Sequence, residues 1–281
     1  MHSPRKESFE EKIYGRNACW AIWKARPQDV IRIYINKIAA PRFKECLQAL
    51  AKTKRAYHVV ENDELVRVTG SNHHEGVCFL VKSKKQQDSQ GNLDQILKSG
   101  SPIVFLDGVE NPHNFGALVR VAAHFGVRAI LGDEKTLPKL SGASYRVAQG
   151  GAEFVDIIRC QNIDQIFKKA AEQGYQIIAV TTDGKGSLLE AKLNSKTIFI
   201  LGSEGKGVSA SLKKQSHSMV FIPGTGNVQS LNVSVAGALA LGEYWRQHGQ
   251  NSKHKTKSSS TLSSNQKRFS TPTHKKGTSK K

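Results

Sequence analysis

Three short polar loops carry the residue types that could do chemistry: Asn111-Pro-His-Asn-Phe-Gly116, Gly202-Ser-Glu-Gly-Lys-Gly207 and Gly224-Thr-Gly-Asn-Val-Gln-Ser-Leu-Asn232. Their inventory is glycines, side-chain amides, the carboxylate of Glu204 and, just past the first loop, Arg120. Such a set lacks the parts of most hydrolases and metalloenzymes, and suits holding a cofactor and orienting a hydroxyl. Each loop follows an apolar run that reads as a strand: Ile103-Val-Phe-Leu106, Thr197-Ile-Phe-Ile-Leu201 and Met219-Val-Phe-Ile222. Open α/β sheets bind ligands at the carboxyl ends of their strands, so the three loops read as parts of one site.

The elements that must position these loops alternate along residues 101–248. After the first strand and loop, residues 117–125 read as a helix ending at Gly126, and residues 128–131 as a second strand. Residues 163–173 form a helix closed by Gly174, residues 176–180 a strand, and residues 234–247 a final helix rich in Ala, Leu and Gly. Strands that alternate with helices predict an α/β domain with a largely parallel sheet. Asn114 is placed to cap the helix after the first loop, and Arg120 lies two turns in, among Leu118, Val121, Ala122 and Phe125.

Residues 9–81 read as a smaller α/β unit. Helices are expected over 17–25, 42–53 and 63–68, and strands over 30–35, 56–60 and 76–81. The polar run Lys82-Ser-Lys-Lys-Gln-Gln-Asp-Ser-Gln-Gly91 reads as a linker, so residues 82–100 are assigned to the connection. Residues 249–281 hold nine Lys/Arg and no acid, with only Leu262 and Phe269 as sizeable apolar groups. That composition cannot offset chain entropy and predicts a disordered basic tail.

The 281 residues contain 42 Lys and Arg against 23 acids, a formal charge of +19, which points to a polyanion such as nucleic acid. Within the smaller unit, charge alone nominates Arg16, Lys24, Arg26 and Arg42 for RNA contact. Cys19, Cys46, Cys78 and Cys160 form no C-x-x-C pair, so they read as reduced thiols of a cytoplasmic protein. No 18-residue apolar run exists, which argues against a membrane span. His73 and His74 are adjacent, and in a strand they would point to opposite faces, so no metal site is expected. The phosphate-binding P-loop pattern is missing. Gly205-Lys-Gly-Val-Ser-Ala210 matches G-x-G-x-x-A, yet residues 214–242 contain no acid to hold a ribose.

Asn114 with Arg120, then Gly202-x-Glu204-Gly205, then Ile222-Pro followed by Ser230-Leu-Asn-Val-Ser234, resemble the three motifs of the SpoU/TrmH family of tRNA/rRNA 2′-O-ribose methyltransferases. Residues 9–81 resemble that family's L30e-like substrate-binding domain, opening with Tyr14-Gly-Arg-Asn-Ala. The family often has a leucine where Phe115 stands, and the basic tail lies outside its pattern.

The resemblance implies a SPOUT-type, trefoil-knotted sheet, S-adenosyl-L-methionine as cofactor, RNA as substrate and a homodimer. It also implies cofactor contacts at Gly202, Ile222 and Leu231, with Thr181 a further candidate, and catalytic positions at Asn114, Arg120, Glu204, Ser230 and Asn232. The rival reading is a non-catalytic RNA-binding protein on a methyltransferase scaffold.

Overall fold

The computed structural model describes residues 10–83 and 89–249. The tail expected to be disordered lies, from residue 250 on, outside the described residues.

In the smaller unit the chain runs β1 (Glu10–Tyr14), α1 (Arg16–Ala25), β2 (Val30–Ile35), α2 (Lys44–Lys52), β3 (Tyr57–Val59), α3 (Asn62–Thr69) and β4 (Val77–Lys82). Its sheet has the order β1-β4-β2-β3, with β4 antiparallel to both neighbours and β2 parallel to β3. Side chains alternate across a strand, so this sheet buries both faces. Ile33, Phe79 and Val81 meet Ile22, Cys46 and Leu50 on one face, while Tyr14 and Cys78 meet Leu65 on the other. The sequence reading omits β1, because Glu10, Glu11 and Lys12 hide an edge strand that buries only its last residues.

The larger unit contains α4 (Ser89–Ser99), β5 (Ile103–Asp107), α5 (Pro112–His124), β6 (Ala129–Asp133), α6 (Gly142–Ala148), β7 (Asp156–Cys160) and α7 (Ile163–Glu172). It continues with β8 (Gln176–Val180), β9 (Gly186–Ser187), β10 (Thr197–Gly202), α8 (Ala210–Gln215), β11 (Ser218–Phe221) and α9 (Val233–His248). Seven strands form one sheet in the order β7-β6-β5-β10-β8-β11-β9, and every neighbouring pair is parallel. Parallel sheets need cover on both faces, which explains the unbroken apolar runs Ile103–Leu106 of β5 and Ile198–Leu201 of β10. Val104, Leu106, Phe199 and Leu201 pack under α5 and α9, and Ile103, Phe105, Ile198 and Ile200 pack under α4 and α7.

The expected linker is corrected here. Residues 89–99 form α4, whose Leu93, Ile96 and Leu97 are buried against the sheet. The polar run obscured an amphipathic helix that starts inside it. The Gly174 signal holds: α7 stops at Glu172 and Gly174 takes φ +84, a left-handed conformation that favours glycine. Among the described residues, no helix is long and apolar enough to cross a membrane.

Candidate active site

Thr181, Gly202 and Ile222 sit at or just beyond the carboxyl ends of β8, β10 and β11, which are sheet neighbours. Their loops therefore open on the same edge. The β10 loop is folded tightly on itself. Gly207 N donates to Ser203 O at 2.9 Å, and Gly205 and Gly207 have φ of +89 and +64. A Cβ on Gly202 would lie 2.0 Å from the Gly207 carbonyl carbon and 2.2 Å from Val208 N. Backbone meets backbone there, so only glycine fits. Asp107, at the end of β5, accepts from Ser209 N at 2.7 Å and ties the far end of this loop to the first one.

Three motif side chains converge. Glu204 Oε1 accepts from Asn114 Nδ2 at 2.9 Å and from Asn232 Nδ2 at 2.6 Å. Asn232 Nδ2 also lies 3.0 Å from Asn114 Oδ1, which closes a triangle. An ionised carboxylate accepts hydrogen bonds only, so both amides turn their NH2 groups towards Glu204. Asn232 has a second task as the N-cap of α9, where its Oδ1 accepts from Ser234 N at 2.9 Å and Ser234 Oγ at 2.6 Å.

The expected cap at Asn114 is corrected. The cap of α5 is Asn111, whose Oδ1 accepts from His113 N at 2.8 Å, with Pro112 at the first helical position. Asn114 lies inside the first turn of α5 and is released for Glu204.

Arg120 does not join the triangle. Six residues beyond Asn114, it lies roughly 240° around α5 and about 9 Å along it. It is exposed, and its side chain makes no hydrogen bond or ion pair with a described residue. Its backbone packs against the 3-10 turn Gly151–Glu153: a Cβ on Gly151 would stand 3.1 Å from Arg120 Cα and from Val119 O. Ser230 is likewise exposed, without a hydrogen bond to a described residue, and Leu231 beside it is exposed too.

Thr181 N donates to Val220 O at 2.9 Å, and its hydroxyl donates to Asp183. Asp183 also binds Lys213 Nζ at 2.7 and 2.9 Å. The Lys213 ammonium, then the Thr181 hydroxyl, hold the Asp183 carboxyl down at about 2. Neither Asp107 nor Asp183 was singled out from sequence. Each does end or follow a strand at the loop edge, which was the available signal.

Other sequence candidates fall elsewhere. Arg26 is withdrawn as an RNA contact, because it is buried in an ion pair with Glu153. Arg16 donates from its backbone N and Nε to Glu75, and Arg42 donates to Asn17, while Lys24 pairs with Glu45 at 3.4 Å. His73 and His74 occupy a turn rather than a strand, and buried His74 Nδ1 accepts from Gly76 N. Among the described residues, no group of three or more His, Cys, Asp or Glu could hold a metal ion.

Residues 101–242 match the model of the SpoU rRNA Methylase family, and residues 12–87 match RNA 2'-O ribose methyltransferase substrate binding. The chain is 36% identical over 245 residues to an uncharacterized tRNA/rRNA methyltransferase of Haemophilus influenzae, covering 86% of this chain and 68% of that one. It is 29% identical over 244 residues to a 23S rRNA (guanosine-2'-O-)-methyltransferase of Nitrosomonas europaea, covering 86% and 94%. The fold is shared with the SpoU methyltransferase AviRb from Streptomyces viridochromogenes, solved with AdoMet, at a TM-score of 0.70, 18% identity and coverage of 86% and 92%. It is also shared with an RNA 2'-O ribose methyltransferase at a TM-score of 0.72, 20% identity and coverage of 86% and 90%. With a family model spanning half its length and relatives covered over most of theirs, the chain belongs to the SpoU rRNA methylase family.

Proposed function

We propose that this protein is a cytoplasmic, S-adenosyl-L-methionine-dependent methyltransferase that methylates a ribose 2′-hydroxyl of tRNA or rRNA, and that it works as a homodimer. The observation that carries this reading is the Asn114–Glu204–Asn232 triangle, which links the three motif loops through side chains rather than backbone. A module that only bound RNA would not need that cross-linking.

The residues at the strand ends fit the cofactor. Gly224 and Gly226 have open space where a Cβ would stand, beside part-buried Ile222 and exposed Leu231. When bound, the cofactor supplies a methyl group already activated on sulfur. The chain's own work is then orientation and charge. Glu204 fixes both amides, Ser230 offers a hydroxyl at the loop edge, and the exposed guanidinium of Arg120 is free to take a backbone phosphate. From there it can stabilise charge developing on the ribose oxygen, while the proton leaves to a phosphate oxygen or water.

The domain assignment belongs to the same proposal, with residues 9–81 gripping RNA and residues 101–248 carrying catalysis. Trefoil knotting belongs to it too, supported by the route of residues 222–232. They return from β11 so that Asn232 reaches Glu204 before α9 packs on α5. Dimerisation is supported by Val235 and Leu239, four residues apart on one face of α9 with exposures of 46% and 44%.

The test is transfer of a labelled methyl group from S-adenosylmethionine to total RNA from cells lacking the gene, with Arg120→Ala in parallel. Label recovered as a 2′-O-methylnucleoside, and lost in the variant, is the expected result. A wild-type protein that binds the cofactor yet labels no RNA fraction would favour the non-catalytic reading.

A further inference from the structure

The two units are joined by a built interface, and it ends on the backbone of Arg120. Arg26, at the end of α1, faces Glu153 across the junction, with Nε to Oε2 at 3.0 Å and Nη2 to Oε1 at 3.3 Å. The side chains are 7% and 2% exposed, so the paired fork is almost wholly out of water. Arg26 Nη1 also donates to Lys82 O at 2.8 Å, which pins the end of β4 to the same point. Alongside, Tyr145 donates to Glu11 at 3.2 Å and Asn17 donates to Gln149 at 2.5 Å. Glycines close the gap: a Cβ on Gly142 would sit 2.3 Å from the Tyr14 ring, and one on Gly150 would sit 2.6 Å from Ala21. The apolar core is continuous across the junction, from Ala18 and Ile22 to Ala148 and Ala152.

Glu153 belongs to the turn Gly151–Glu153, and Gly151 rests on Arg120 Cα, Val119 O and Ala123 Cβ, each at 3.1 Å from where its own Cβ would be. The contacts therefore run without a break from Arg26 through Glu153 and Gly151 to the helical turn that presents Arg120. The Arg120 side chain itself makes no hydrogen bond or ion pair with another described residue.

We propose that Arg26 and Glu153 are positioning residues for Arg120: docking of the substrate-binding unit onto the Gly151–Glu153 turn sets where the Arg120 guanidinium stands. The proposal rests on the methyltransferase reading for Arg120. Its structural half, that the junction braces this turn of α5, stands apart from that reading. The consequence for recognition is a fixed span. An RNA held by the smaller unit meets Arg120 at a set distance, so RNA too short to reach both units is methylated poorly even when the target ribose is present.

The test uses the full chain with Arg26→Ala, the charge swap Arg26→Glu with Glu153→Arg, and Gly151→Ala. Amide hydrogen exchange of residues 117–125 is read together with kcat, KM for S-adenosylmethionine and RNA affinity. In Arg26→Ala, exchange over 117–125 is expected to rise and kcat to fall by about tenfold or more, with KM for the cofactor unchanged. The swap should recover only part of the loss, since a carboxylate at position 26 cannot donate to Lys82 O and stands near Asp29. Arg120→Ala placed on Arg26→Ala should cost far less than Arg120→Ala alone.

A folded Arg26→Ala protein with wild-type exchange over 117–125 and unchanged kcat overturns the proposal. Where Arg26→Ala fails to fold, Gly151→Ala decides, since it keeps the ion pair and presses only on α5. Unchanged exchange and kcat in that variant overturn the proposal equally. If the wild-type protein transfers no methyl group, the functional reading has failed, and the exchange data still decide whether the junction braces α5.

Discussion

Asn232 holds two jobs that substitution can separate. Its Oδ1 caps α9 through Ser234, and its Nδ2 donates to Glu204 and Asn114. Asn232→Ala removes both. Loss of an N-cap costs about 1 kcal/mol, and an exposed hydrogen bond contributes about 0.5–1.5 kcal/mol net. The sum is roughly 2 kcal/mol, or about 4–8 °C of Tm in a unit of this size. Asn232→Asp keeps the acceptor oxygens, and a negative charge at a helix N-terminus is favourable, so the cap survives. It replaces the donor by a carboxylate within hydrogen-bonding distance of Glu204, where two like charges repel and one carboxyl pKa must rise. We therefore expect Asn232→Asp to melt within about 2 °C of wild type while methyl transfer falls roughly a hundredfold. Acidification should restore part of the rate, because a shared proton rebuilds the missing donor. Thermal unfolding and single-turnover transfer to RNA at several pH values measure the two effects. Wild-type activity in Asn232→Asp at neutral pH would refute the role given to the triangle.

The other predictions concern separate parts of the molecule. Val235→Glu or Leu239→Lys should convert a dimer into a monomer in light scattering and lower activity with it, since both residues lie on the exposed face of α9. Lys213→Ala should raise the Asp183 carboxyl towards its ordinary value in an NMR titration. In the wild type the Asp183–Lys213 contact contributes to stability above the ordinary carboxylate pKa and is lost as pH falls towards about 2. All four cysteines are buried, and burial pushes Cys46 and Cys78 up to about 12 and Cys160 up to about 11. A thiol reagent at pH 8 should therefore label the folded protein far more slowly than the protein in denaturant.

Legibility differed by element. β5, β8, β10 and β11 were readable from their apolar runs, α5 and α9 because each lies beyond such a run and its loop, and α7 from its helical stretch closed by Gly174. β1 and α4 were not, since charged or polar residues mask one side of an edge strand and the first turns of a helix. α6, only seven residues long, was missed for want of a full amphipathic period. In the site, the motif residues were legible from type and order, but their grouping was not. Nothing in the spacing of 114, 204 and 232 says that they touch, nor that Arg120 faces away from them. The Arg26–Glu153 pair was misread because a buried arginine and a solvated one look alike in sequence until the opposing carboxylate is found.

The place of β10 in the sheet has a kinetic consequence. β5, β6 and β7 form one half and β8, β9 and β11 the other, and β10 alone joins them, with Ile198 beside Ile103 across 95 residues of chain. During synthesis, the first half can pair as it emerges, but its β5 edge stays open until residue 202 has been made. Non-local parallel pairing is slow, because loop-closure entropy must be met before the contacts form. In that interval Val104 and Leu106 lack α9, which covers their face and is made after β10. The nascent chain is thus exposed to edge-to-edge association for as long as the ribosome takes to add about a hundred residues, on the order of ten seconds. Arrival of β10 then joins β5 to β8, and β11, made later, completes the far side of the sheet.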